Sequence, residues 1–423
     1  MISHCRKGFT LIELIIVMVV FMVVLMITGD AFKTLLTQMT KLSKSEESNI
    51  EGVVGLEMFR HDLQQIGYGL PFSYQNPIQY IEAGYTPAST YNDAPSGVPR
   101  AIVAGDSVGA VAGATGDEST TLIAGTDYLA LKGTTLGLND TAQKWTYEPY
   151  TSGITGKLKP RIWQTNNLTE GTSTTADSVI VIKKTFSNST YENQMITDPG
   201  NQYIYWARYY KSGLVDPYQP QTKEDIYYLY GIKKGTTDVG MPFNRVDYFV
   251  AKPSTANKFP SFCHSNTGIL YKAAVTHASN TSGAKLIYIP LLDCVADMQV
   301  VFGWDVDDGQ GNEGQDGKVD TYSTPLGSGG AVTTTPSANQ ARVVNALGDA
   351  AKLRKSLKII KVYLLAQVGR KDTGYTASST NLVVGDQTVD GISKTYALTG
   401  DMVNYRWKLY RLVVRPQNLL LSQ

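Results

Sequence analysis

Leu14 to Ile27 is a run of fourteen apolar residues without a break, and the eight residues before it read Arg6-Lys7-Gly8-Phe9-Thr10-Leu11-Ile12-Glu13. From Phe9 to Ile27 such a segment makes roughly 28 Å of helix at 1.5 Å per residue, enough to cross a hydrocarbon core about 30 Å thick. Arg6 and Lys7 stand immediately before it, so the positive-inside rule keeps the amino terminus in the cytoplasm and sends everything after Ile27 outward. Glu13 does not fit a plain anchor. An acid within a membrane segment costs on the order of 2.5 to 3.5 kcal/mol at the centre, less near the end, and marks a paired or functional position.

An ordinary secretory signal is cut after its apolar region, at small residues, whereas here the small residue Gly8 lies before that region and nothing like A-x-A follows Ile27. The octet resembles the class III signal of type IV pilins and pseudopilins. That resemblance implies cleavage by a prepilin peptidase between Gly8 and Phe9, N-methylation of Phe9 as the new terminus, and retention of the apolar helix. It also implies that Glu13 neutralises the amino terminus of a neighbouring subunit during assembly.

Composition agrees with export. Hydrophobic residues make up 42% and charged residues 18%, with 39 Gly and 26 Tyr, the profile of a strand-rich extracytoplasmic protein rather than a helical cytosolic enzyme. The formal charge is +1 and becomes −1 once Arg6 and Lys7 are removed, which leaves no electrostatic footprint for nucleic acid. Cleavage would also remove Cys5 and leave Cys263 and Cys294, a pair expected to join in an oxidising compartment. Two buried free thiols remain the alternative.

Beyond the span, Phe32, Leu35, Leu36, Met39 and Leu42 mark one helical face, and Leu56, Phe59, Leu63 and Ile66 a second that should pack on a globular domain. No proline occurs before Pro71, and Gly67-Tyr68-Gly69-Leu70-Pro71 signals the helix end. From Pro71 to Thr121 loops are expected. Runs rich in Val, Ile, Tyr and Phe predict strands at 128–131, 178–186, 202–210, 225–232, 245–250, 268–275, 296–304, 357–367 and 405–414, with a short helix over 345–355 and a loop over 327–340. The expected fold is α+β: a leader (1–8), the membrane-spanning half of a long helix (9–28), its amphipathic half (29–67), and a mostly antiparallel β-rich extracytoplasmic domain (68–423) with long insertions.

Four downstream segments narrow the resemblance. Arg60-His61-Asp62-Leu63-Gln64-Gln65-Ile66-Gly67-Tyr68-Gly69, Gly125-Thr126-Asp127-Tyr128-Leu129, the block from Pro290 to Asp305, and the strand from Tyr405 to Leu419 are similar, in that order, to segments of PilW-type minor pilins. This likeness implies a low-abundance subunit that helps to initiate or prime type IV pilus assembly. Its partners would be the prepilin peptidase, other minor and major pilins, the inner membrane and the assembly platform, and its location a single-pass inner-membrane anchor before passage to the pilus tip or cell surface. A type II secretion pseudopilin and a membrane-anchored adhesin working through Tyr-rich strands such as Tyr203-Ile204-Tyr205-Trp206 and Tyr227-Tyr228-Leu229-Tyr230 stay open as alternatives.

The candidate metal chemistry is an acidic loop in which Asp305, Asp307, Asp316 and Asp320 alternate with glycines. Hard Ca²⁺ takes six to eight oxygens, and the loop read from Asn312 puts Asp316, Gly317 and Asp320 at EF-hand positions, while Gly314 and Ser323 replace expected ligands. The expectation is weak calcium binding or a plain hairpin tip; no other cofactor is implied. His61, His264 and His277 have no spacing that carries a mechanism, and there is no phosphate-binding loop or nucleophile elbow, so the chain reads as a non-enzyme.

Overall fold

The computed structural model describes residues 10–113, 119–150, 167–172, 175–187, 190–202, 204–209, 217–235, 239–279, 284–326, 332–333 and 338–420. Internal contacts divide the chain into two compact units, Met1–Ile50 and Glu51–Gln423. Helix α1 (Leu11–Gln65) begins in the first and ends in the second. Within it, Leu11–Lys33 is long and apolar enough to cross a membrane. It ends where the sequence signals a stop: Gly67 and Gly69 have φ of +79° and +64°, and a Cβ on Gly67 would also lie 2.5 Å from Leu419.

In the second unit the helix buries Leu56, Phe59 and Leu63 and leaves Val53, Val54 and Met58 exposed, and Ile66, just past its end, is buried with them. Each large apolar side chain so buried stabilises by about 1.5–3 kcal/mol. A Cβ on Gly55 would sit 2.2 Å from the Leu291 carbonyl oxygen, so this side of the helix lies backbone to backbone on the sheet.

After the helix come β1 (Ser73–Tyr74), β2 (Ile102–Gly105), β3 (Ala112–Gly113), β4 (Thr120–Leu122), β5 (Tyr128–Gly133) and β6 (Trp145–Pro149). These are followed by β7 (Asp177–Ser187), β8 (Thr190–Met195), β9 (Ala207–Arg208), β10 (Ile226–Lys234), β11 (Asn244–Pro253) and β12 (Gly268–Val275). The 19-residue β13 (Leu286–Trp304) leads to β14 (Thr321–Ser323), β15 (Val332–Thr333), α2 (Ala338–Gly348), α3 (Ala350–Ser356) and β16 (Leu357–Val368). A hairpin of β17 (Asn381–Asp386) and β18 (Ile392–Ala397), then β19 (Arg406–Val414) and α4 (Gln417–Leu420), complete the order.

The large sheet runs β2-β5-β11-β12-β13-β16-β19, antiparallel throughout, with β4 beside β5 on β11 and β14 beside β12 on β13. One face presents Met298, Val300, Phe302, Val362, Leu364 and Leu412 to the core shared with α1. The other presents Val301, Tyr363 and Leu365, covered by Val384 and Ile392 of the β17–β18 hairpin. A smaller sheet, β1-β8-β7-β10-β6 with β9 on β7, carries its own apolar cluster.

The α+β architecture matches the sequence expectation, and several boundaries differ. The strand expected at 202–210 shrinks to β9, because Ile204 N–H bonds Asn201 and Asp198 N–H bonds Ile204 in a turn. The segment 71–121 is mostly irregular, yet β2 pairs with β5 and Ile78, Tyr80 and Ala83 are buried. The helix expected at 345–355 is two helices. Asp349 breaks them and caps α3, its carboxylate accepting from Ala351 N–H at 2.8 Å and Lys352 N–H at 2.9 Å.

Candidate functional site: the helix start, the buried ion pairs and the acidic loop

Gly8 and Phe9 lie outside the described residues. The described chain opens at Thr10, which caps α1: Glu13 N–H donates to Thr10 Oγ1 at 3.4 Å, while Thr10 N–H and hydroxyl both donate to Glu13 Oε2 at 2.9 Å. This reciprocal pattern is a capping box, Thr at the cap and Glu three residues on. Glu13 therefore has a partner in its own chain, which the sequence reading overlooked, although the spacing Thr-x-x-Glu before an apolar run was legible. Around it Leu11, Ile12, Leu14 and Ile16 are exposed.

This segment is where a comparison with protein families finds a match: the prokaryotic N-terminal methylation motif, over residues 3–29. The chain carries a prepilin-type signal. It is thus pilin-like or pseudopilin-like at its amino terminus, a motif that suggests processing by a prepilin peptidase and contact with pilins and the membrane, and its apolar helix fits a single-pass anchor. No curated protein and no solved structure matches the chain.

At the other end of α1, Asp62 is buried and accepts a hydrogen bond from Tyr248 Oη at 2.6 Å and an ion pair from Lys272 at 2.5 Å. Phe59, one turn earlier, stacks on the same Tyr248 ring at 4.0 Å. A second buried group was not foreseen. Glu82 meets Lys132 at 2.8 Å and Arg245 at 2.8 Å, Lys132 also meets Asp93 at 2.7 Å, and Arg245 meets Asp247 at 2.7 Å. Burial alone would raise the Glu82 carboxyl; Lys132 and Arg245 outweigh it and hold the group low. Glu82 and Arg245 are 163 positions apart, and only the tertiary fold brings them together. The network pins the irregular chain from 78 to 100 onto β5 and β11.

Cys263 and Cys294 form a disulfide with Cα atoms 5.0 Å apart. Beside it His264 accepts Asn266 N–H at Nδ1 (3.1 Å), which leaves Nε2 as the donor to Asp401 at 2.9 Å. Asp401 sits at about 2, through its hydrogen bond with Lys371 first and with His264 second. These contacts make His264 a structural clamp.

The acidic loop does not bring its four aspartates to one point, and among the described residues no group of three His, Cys, Asp or Glu side chains is placed to hold a metal ion. Asp305 is fully buried, accepts Asp316 and Gly317 N–H at 3.0 Å each, and pairs with Lys358 at 3.3 Å. Asp307 accepts Gly309 N–H at 2.9 Å and Gly311 N–H at 3.0 Å and pairs with Arg342 at 2.9 Å. Asp320 accepts the N–H groups of Val306 and Asp307 at 2.8 and 2.9 Å; burial, with Asp305 and Asp316 adding, raises its carboxyl. Asp316 turns to Lys318, whose backbone and ammonium donors hold it low. Carboxylates bonded to the loop's own N–H groups give the short Asp-Gly segments their shape.

The Tyr-rich strands are largely inward. Tyr205 and Tyr227 are buried and Tyr230 packs on the main core, while Tyr203 lies outside the described residues.

Proposed function

We propose that this chain is a minor pilin of the PilW type, anchored in the inner membrane before it joins a type IV pilus and taking part in initiating or priming assembly. The observation that carries the reading is the methylation motif over residues 3–29 on a chain whose other compact unit runs from Glu51 to Gln423. A head of that bulk is hard to repeat at every position of a thin helical fibre, and it suits a subunit used once or a few times. In this role the apolar helix is both anchor and assembly segment, and Glu13 is the charge that a neighbouring subunit's terminal amine would meet. The β-rich unit lies outside the inner membrane and contacts other minor and major pilins, and no step requires catalysis by the chain.

The test is a deletion strain complemented with the wild-type chain or with Glu13→Gln. Deletion should strongly reduce pilus number, the wild type should restore it, and purified fibres should contain this chain far below the main pilin in quantity. Stoichiometric incorporation along the fibre, or normal piliation after deletion, would refute the minor-pilin reading.

A further inference from the structure

Strand β19 is a rim of the large sheet. It pairs with β16 from Ile360↔Val414 to Val368↔Arg406 and with no other named strand. That ladder has no register shift, and the next proline, Pro416, comes after the strand has ended. A regular edge of nine residues leaves a row of N–H and C=O groups able to pair with another chain, and proteins close such edges with bulges, proline, a covering element or charge.

Here the guard is charge. Arg406, Lys408, Arg411 and Arg415 are all exposed and no acid interrupts them. Arg411 meets Asp386 at 3.0 Å and Arg406 meets Asp372 at 3.6 Å. Lys408 lies over the Tyr410 ring, and neither it nor Arg415 has an acidic partner among the described residues. Leu409 and Val413, on the same face as Arg411, are 40% and 44% exposed. Four cations on one edge repel the same edge of a second copy, while they attract an acidic strand and the open backbone groups give it a ladder to join.

We propose that β19 is a strand-addition site for an extended acidic segment of a different polypeptide. Main-chain hydrogen bonds supply affinity, acids on one face of the added strand meet Arg406 and Lys408, and apolar residues on its other face cover Leu409 and Val413. The inference does not depend on the assembly reading, since it concerns the chemistry of the edge.

The test uses the full mature chain in detergent micelles and a labelled ten-residue peptide alternating Glu with Val. A Lys-for-Glu peptide and a Glu peptide with two central prolines serve as controls. The acidic peptide should bind and slow hydrogen exchange at those β19 amides that do not bond β16, and the two controls should do neither. Lys408→Glu should weaken binding at least tenfold with the melting temperature unchanged. The proposal is overturned by no binding, by binding that leaves the β19 amides unprotected, by equal binding of the Lys peptide, or by β19 protection that grows with protein concentration in the absence of peptide.

Discussion

Replacing Glu148 by Gln should flatten the pH dependence of this protein's stability above the acid range. β6 pairs Glu148 with Tyr227 and Thr146 with Leu229, so the carboxyl lies on the face of the smaller sheet that carries the Val181, Tyr209, Tyr218 and Tyr227 cluster. It is fully buried, and neither oxygen has a hydrogen-bond partner among the described residues. Burial therefore pushes the group up from 4.5 to about 8. With the folded value above the unfolded one, the folded chain holds a proton that the unfolded chain releases. The associated stability is complete below 4.5 and is lost as pH rises to about 8. At about 1.4 kcal/mol per pH unit that interval amounts to about 5 kcal/mol. Relaxation and water entry around an ionised buried acid reduce the cost, and about 3 kcal/mol is the expected difference. Urea unfolding of the mature chain, followed by tryptophan fluorescence, should show Glu148→Gln equal to the wild type near about pH 4 and about 3 kcal/mol more stable near about pH 9. His277 does not confuse the comparison. Burial first, then Lys233, lowers it to about 3, so it removes stability as pH falls below 6.5, and it does so in both proteins. Parallel pH profiles for wild type and variant would show that Glu148 is solvated or paired and would refute the reasoning.

Other expectations follow from single contacts. Intact-mass measurement should find the mature chain beginning at Phe9; a protein beginning at Met1, or cut after Ile27, removes the pilin reading. Glu13→Gln should preserve the helix start, because Gln can still accept Thr10 N–H in a capping box, while assembly into pilus complexes is lost with the charge; normal assembly of this variant would show that the charge is not needed. Replacing Cys263 and Cys294 by Ser should cost about 3–4 kcal/mol, since the bridge closes a loop between positions 31 apart, and a change below about 1 kcal/mol in chemical denaturation would contradict it. Asp305→Asn should destabilise by about 3 kcal/mol by leaving Lys358 without its charge. With the loop carboxylates engaged by N–H groups and cations, melting curves in millimolar calcium and in chelator should superimpose, and a calcium-dependent rise in melting temperature would show that the loop binds the ion.

The sequence by itself determined the amino-terminal half of this description. An apolar run, flanking charge and Gly-Phe placement are local properties, and periodicity in Leu56, Phe59, Leu63 and Ile66 marks a buried helical face whatever it packs on. Strands dense in Val, Ile and Tyr were legible for the same reason, whereas β6 is mixed in polar and apolar residues and owes its state to β10, which comes from a distant segment; β8 and the β17–β18 hairpin, equally mixed, are held by strands close by in sequence. The acidic loop shows the limit most clearly: Lys358 and Arg342, brought from other parts of the chain, pair with Asp305 and Asp307, and no local reading of the loop gives those partners. The tertiary structure alone decided the Glu82–Lys132–Arg245 network, the isolation of Glu148 and the open basic edge of β19. Each depends on which groups are withdrawn from water together, and electrostatic cost and hydrogen-bond satisfaction are properties of that shared environment rather than of any residue's neighbours in sequence.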